Sequence, residues 1–363
     1  MDAFAIFAKM RRHSSEPFVI DTKAYGAWFE MMSREATQTD EELAGRDIAL
    51  LNLEAALGLP GAENLNLDGC VQKLNAWAKQ VGIYTQDHWH LFERSPEEYD
   101  FSRGHFLILA LVTFLQRHLG VHYNLSFSEG EYNATDSRSL FIHGILAGHG
   151  GTCVTMPVLY IAIGRRLGYP LYLVQAKEHL FARWEELGGD RFNIECTSPG
   201  FRPLDDEYYH HRPKPLTAED LRAGNFLRNL GPREELSQFL CERTRCLIDN
   251  LRLGEALRSI FLARQLAVED PGVRGLWVIT TIMARALEKV RDEASLDGYW
   301  GLDLTKVCVP DEGDPFERWA APIVRESLQR IARIHANNHA RAREGVFATL
   351  AGANDRRFPL TNF

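Results

Sequence analysis

Apolar positions recur at helical spacing over most of the chain and alternate over one short stretch. From Asp40 to Leu57 the spacing predicts an amphipathic helix, with Asp40 placed to cap it and Gly58 and Pro60 placed to stop it. A second helix is predicted from Asn66 to Val81, where Leu67, Cys70, Val71, Leu74, Trp77 and Val81 share a face. A third runs from Ser102 to Leu119 and is closed by Gly120. The stretch from Val121 to Ser139 is rich in Ser, Asn, Glu and Gly and reads as a loop. Phe141 to Leu146 predicts a short helical piece that ends in Gly148-His149-Gly150-Gly151. From Thr152 the period is helical again, through Val154, Val158, Leu159, Ile161, Ala162 and Ile163. Arg165 and Arg166 suit its last turn, and Gly168 ends it.

The period then drops to two. Leu171 to Ala176, His179 to Glu185 and Arg191 to Thr197 predict three strands, with Leu187-Gly188-Gly189-Asp190 in the turn between the last two. Past a proline-bearing passage (Pro199 to Pro215), Glu234 to Leu251 and Gly254 to Ala267 predict a helix pair, with Val273 to Val290 packing next. Ala256, Ile260 and Ala263, with Asp270-Pro271 beyond them, give the pair a loose likeness to one tetratricopeptide unit. No clean second copy follows at a period near 34 residues, which favours a helical appendage over a repeat array. The expected fold is α+β, with residues 1–225 holding the sheet and the helices before it, and residues 226–363 forming a helical domain.

The 363 residues are 45% hydrophobic and 25% charged, ordinary values for a chain with a sizeable core. A net charge of −8 argues against nucleic acid or an anionic membrane surface as partner. The apolar run Ala3 to Ala8 is followed, not preceded, by Lys9, Arg11 and Arg12, the reverse of a secretory signal. The longest apolar stretch, Phe106 to Leu115, is about half the roughly 20 residues that a membrane span needs. A soluble, cytoplasmic protein is therefore expected. Cys70, Cys153, Cys196, Cys241, Cys246 and Cys308 are too scattered for a disulfide framework or a zinc site, so each is a buried apolar residue by default. His88-Trp89-His90 alternates as a strand does, without a third ligand; His210-His211 and the pair His335 and His339 read as exposed histidines. No cofactor or metal is expected.

Cys153 needs a different account. It follows a glycine-rich loop and falls in the first turn of a predicted helix with Thr152 as cap, where free amides and the positive dipole end stabilise a thiolate. The glycines allow close approach of substrate and backbone. His179 and Glu195 are sixteen residues apart across a predicted hairpin. Any antiparallel register pairing them directly, or shifted by two, puts both on one face. A three-residue loop at Glu186-Leu187-Gly188 would set them directly opposite. Glu195 would then accept from one imidazole nitrogen and leave the other for Cys153, the division of labour of a catalytic triad. Asn193, on the same face, is the runner-up orienter. The Cys153 amide is one candidate oxyanion donor; His149, Asn133 and Tyr132 are loop candidates for a second.

The stretch from Gly150 to Pro170, opening Gly-Gly-Thr-Cys and closing Leu-Gly-Tyr-Pro, resembles the transglutaminase-like superfamily, as do Glu178 to Glu185 and Arg191-Phe192-Asn193-Ile194-Glu195. More narrowly it resembles the bacterial SirB-type branch, in which a helical N-terminal region precedes the cysteine helix and a tetratricopeptide-like tail follows. The likeness covers roughly residues 45 to 270. It implies a papain-related core at about 60 to 215, with Cys153 as nucleophile, His179 as general acid/base and Glu195 as orienting carboxylate. Two positions depart from the family pattern. Asp is usual where Glu195 stands, and glycine commonly precedes the histidine where this chain has Glu178. The expected activity is a thiol-dependent hydrolase or acyl transferase acting on a peptide or protein amide. The competing expectation is a non-catalytic scaffold that binds protein partners through its C-terminal helices.

Overall fold

Local caps decide where the first helices begin and end. The computed structural model describes residues 22–125, 134–291, 318–334 and 336. Contacts divide the chain into a unit Ile20–Trp277 and a second made of Met1–Val19 and Val278–Phe363. In the first unit, α1 (Thr22–Thr37) is followed by α2 (Asp40–Ala44) and α3 (Ile48–Ala56), where one helix from Asp40 to Leu57 was expected. Thr39, not Asp40, caps α2 through a capping box with Glu42, and the Asp47 carboxylate caps α3 by accepting from the Ala49 N–H at 2.9 Å. Two strong caps flanking Gly45 satisfy more orphan amides than one helix carried through the glycine.

α4 (Leu67–Arg94) starts at the Asn66 cap but runs 28 residues, well past Val81. Leu74, Ala78, Val81 and Thr85 keep one buried face at helical spacing. His88-Trp89-His90 therefore lies on a helix and not on a strand. His88 Nδ1 meets the Tyr84 carbonyl at 2.8 Å, and Trp89 Nε1 donates to Glu93 at 3.0 Å, both across one helical turn. α5 (Arg103–Thr113) is capped by Ser102 and winds into a π turn over Phe114–His118. α6 (Ile142–Leu146) is the short piece expected before the glycines.

α7 (Met156–Arg166) is buried from Met156 through Gly164, the behaviour of a helix that is apolar all round. It packs against α3 and α4 and against the first two strands of the sheet. That sheet is an antiparallel meander in the order β1 (Leu171–Ala176), β2 (His179–Glu185), β3 (Arg191–Ile194) and β4 (Pro203–Leu204). β3 stops three residues short of Thr197, and β4, two residues long, leaves no periodic signal. β2 is buried on both faces. Beyond the face that α7 covers, Val174, Ala176, Phe181 and Tyr209 form a second cluster. Within this second layer Arg183, 1% exposed, donates to Asn193 Oδ1 at 2.7 Å, Asp206 Oδ1 at 2.5 Å and the Leu227 carbonyl at 3.0 Å.

α8 (Asp206–His211) and α9 (Ala218–Ala223) lead to the expected helix pair, α10 (Pro232–Asp249) and α11 (Leu253–Leu266). The pair packs on the N-terminal helices. Arg243 of α10 donates to the Ala55 and Leu57 carbonyls at 2.8 and 2.7 Å, and Glu235 holds Arg165 of α7 through two bonds of 2.6 and 3.0 Å. α12 (Pro271–Arg291) follows. In the second unit, the helix over 318–334 buries Ala320, Ala321, Val324, Leu328 and Ile331. Cys308, His335 and His339 lie outside the described residues. Among the described residues, no helix is long and apolar enough to cross a membrane.

Gly144 of α6 lies directly on backbone: a Cβ there would overlap the Arg138 carbonyl. Gly144→Ala should destabilise the fold by about 1–3 kcal/mol, the range for overpacking. The measurement is a urea midpoint, lowered with the slope unchanged.

Candidate active site

The glycines ahead of Cys153 serve the chain's own path. Gly148 and Gly150 adopt φ of 87° and 76°, the left-handed region open to glycine. Gly151 sits against Met156 and Ile145, and its backbone pairs with residues 122–124. Its N–H donates to the His122 carbonyl and its carbonyl accepts from the Asn124 N–H, both at 2.8 Å. The close approach made here is between two stretches of this backbone.

Cys153 is half-buried in the turn just ahead of α7, not in the helix's first turn as expected. Pro157 explains the difference. It has no N–H to close a helical bond to Cys153, so it fits only in the first turn and the helix begins at Met156. Thr152 still organises the entry: its carbonyl accepts from the amides of Thr155 at 3.2 Å and Met156 at 3.0 Å, and its own N–H donates to Thr155 Oγ1 at 2.8 Å. Among the described residues, the amides of Cys153 and Val154 have no backbone acceptor.

His179 opens β2 at the hairpin end of the sheet; its side chain is hydrogen-bonded to Glu195, and Cys153 is near enough to raise its pKa. The bond to Glu195 runs from Nε2 to Oε2 at 2.8 Å, so the carboxylate does not use Nδ1. The β2–β3 register pairs Ala182 with Ile194 and Arg183 with Asn193, two residues away from the direct His179–Glu195 pairing. The cause is a loop of five residues, Glu186 to Asp190, the gap left between the expected strands, where direct pairing would need three; it is closed by the Glu186 N–H on the Asp190 carbonyl at 3.0 Å. A shift of two keeps both side chains on one face and makes them diagonal neighbours, about 7–8 Å apart at Cα. The extra methylene of glutamate helps to close that span.

The Glu195 carboxylate is held from both sides. Oε1 accepts from the Thr197 N–H at 3.0 Å and the Thr197 hydroxyl at 2.6 Å, while Oε2 accepts from His179 and, at 3.1 Å, from the Tyr209 hydroxyl. Burial alone raises its pKa, but the bonds from His179 and Thr197 outweigh that, and the carboxyl is held below its usual range. Burial likewise lowers the pKa of His179. Its interactions with Cys153 and Glu195 outweigh burial and raise it to about 9.

Asn193 does not orient His179; its side chain accepts from Arg183 at 2.7 Å and donates to Asp206 Oδ1 at 2.8 Å. His149 lies within 3.4 Å of Arg138, and Asn133 and Tyr132 fall outside the described residues. Sequence reasoning missed Thr197, Tyr209 and Tyr123. Thr197 was open to discovery, since the strand expected to reach it places 195 and 197 on one face. Tyr209 and Tyr123 come from segments read as irregular and carry no periodic signal. Tyr123 pairs by backbone with Gly151, and burial together with the charges of Cys153 and Glu195 raises the pKa of its phenol. His88 and His90 are helical neighbours, and among the described residues no group of three His, Cys, Asp or Glu side chains could hold a metal.

Residues 69–213, which contain Cys153, His179 and Glu195, match the family model described as the Transglutaminase-like superfamily. This stretch is a transglutaminase-like domain, narrower than the 45–270 over which the motifs suggested a likeness. No curated protein and no solved structure matches the chain.

A histidine raised from 6.5 to about 9 by folding adds stability that is complete below pH 6.5 and is lost as pH rises through about 9. Urea denaturation of wild type should therefore show stability falling across that window, and His179→Gln should flatten the fall. Parallel pH profiles for the two proteins would contradict the linkage.

Proposed function

We propose that this protein is a thiol-dependent hydrolase or acyl transferase acting on a peptide or protein amide, with Cys153 as nucleophile, His179 as general acid/base and Glu195 as its orienting carboxylate. The observation that carries the reading is the His179–Glu195 hydrogen bond with Cys153 beside the imidazole, assembled from a pre-helix turn, a strand start and a strand end. The superfamily match over the same residues supports it. In this scheme the sulfur attacks the carbonyl carbon and a C–S bond forms while the C–N bond breaks. The proton of the Cys153–His179 pair, carried by the imidazole, passes to the leaving amine. Water, or a second amine, then attacks the thioester, and the C–S bond breaks with return of a proton to the Cys153–His179 pair. The amides of Cys153 and Val154, with no backbone acceptor, face the role of oxyanion donors. Placement in the SirB-type branch and a tetratricopeptide-like character for α10 and α11 belong to the same proposal, supported by motif likeness and by that antiparallel helix pair.

The test is iodoacetamide labelling of each cysteine across pH, read by mass spectrometry. Cys153 should label at least tenfold faster than the fully buried Cys196, and His179→Ala should abolish most of that advantage. A screen of amide and peptide substrates should then show turnover in wild type and none in Cys153→Ala. Labelling of Cys153 as slow as that of Cys196, unchanged by His179→Ala, would point to a non-catalytic scaffold that binds partners through its C-terminal helices.

A further inference from the structure

Glu195 Oε2 is shared. It accepts from His179 Nε2 at 2.8 Å and from the Tyr209 hydroxyl at 3.1 Å. Tyr209 is fully buried, its ring stacked on Phe181 with centroids 3.8 Å apart and planes 8° apart. It lies nearly parallel to the His179 ring, 6.1 Å away. The helix that presents it is fixed independently, because Asp206 at its start takes bonds from Arg183 at 2.5 Å, Arg191 at 2.8 Å and Asn193 at 2.8 Å. The phenol cannot leave the carboxylate without breaking the stack on Phe181.

We propose that Tyr209 is a positioning residue of the thiol site: its hydroxyl holds the Glu195 carboxylate against the His179 ring and limits how strongly that carboxylate draws the imidazole's proton. A carboxylate oxygen that already accepts one hydrogen bond carries less charge for a second donor, so the imidazolium meets a weaker partner than an unshared glutamate would offer. The proposal rests on the thiol-site reading above and adds to it a residue from a fourth element. The titratable groups facing the pair are Cys153 and Tyr123 on the cysteine side, Tyr160 and Cys196 across the sheet, and Tyr208 beside Tyr209. Of these tyrosines, only Tyr209 bonds to Glu195.

The experiment follows the His179 ring by NMR in the full chain over pH, in wild type, Tyr209→Phe and Tyr208→Phe. Tyr209→Phe keeps the ring and its stack while removing the donor. Its imidazole midpoint should rise by about half a unit or more, and Tyr208→Phe should keep the wild-type midpoint. A fluorinated tyrosine introduced at position 209 is a stronger donor and should move the midpoint down; it also covers a Tyr209→Phe protein that fails to fold. An unchanged or lowered midpoint in Tyr209→Phe, or an unchanged or raised one with the fluorinated residue, overturns the proposal. The thiol reading fails separately, if Cys153 labelling ignores His179, because the imidazole titration does not depend on that labelling.

Discussion

A carboxylate taken out of water must have its lone pairs filled, and the site is organised around that demand at Glu195. An unpaired buried carboxylate costs several kcal/mol and would protonate instead of staying charged. Here four donor groups meet it: the Thr197 amide and hydroxyl on one oxygen, His179 and Tyr209 on the other. They come from the chain just past β3, from β2 and from α8. Displacing any one element leaves a charged oxygen short of a partner. The carboxylate thus makes the relative placement of β2, β3 and α8 cooperative, and His179 inherits its orientation from that cooperation.

A second buried charge performs the same service one layer back. Arg183 shares a face with His179, four residues along β2, and pairs with Asp206, the first residue of α8. Arg191 reaches the other Asp206 oxygen at 2.8 Å, and Asn193 bridges Arg183 to Asp206. The alternate positions of β2 and β3 therefore hold the start of α8 with one set of charges, while Tyr209, three residues on, returns to the next alternate position at Glu195. Neutralising Arg183 would leave Asp206 with Arg191 and Asn193 only, and α8 would lose its most buried anchor.

Much of this was legible where a side chain's role follows from local periodicity. The cysteine helix, the three main strands and the placement of His179 and Glu195 on one face all rest on alternation or helical spacing, and they stand at nearly the expected residues. Errors arose where one residue overrides a pattern. Pro157 delays α7 and leaves Cys153 in a turn. The Thr39 and Asp47 caps break an otherwise continuous helix at Gly45. His88-Trp89-His90 imitates a strand within a helix whose buried face is set by residues further back. Tyr209 could not be read at all, since its role depends on where α8 lands and on the Arg183–Asp206 pair that puts it there.

The two departures from the family pattern acquire physical meaning from the backbone. Glu178 stands in the turn between β1 and β2 with φ of 60°, a conformation that glycine adopts without strain and that costs another L-residue about 1–2 kcal/mol. Its carboxylate, exposed, meets Lys214 at 2.6 Å, and Lys177 beside it meets Asp220 at 2.8 Å, so the turn that aims His179 is tied to residues 214–220 on its outer side. The exposed Glu178–Lys214 pair and the half-buried Lys177–Asp220 pair each return up to about 1 kcal/mol. The two pairs together can return about as much as the strain costs, and burial of β2 on both faces adds to what holds the turn in place. At Glu195 the same logic runs through register. With the hairpin loop two residues longer than direct pairing allows, the glutamate meets the diagonal imidazole with Oε2 and leaves Oε1 for Thr197. Register and side-chain length act together here, and the constraint that couples them is the carboxylate's need for all of its partners at once.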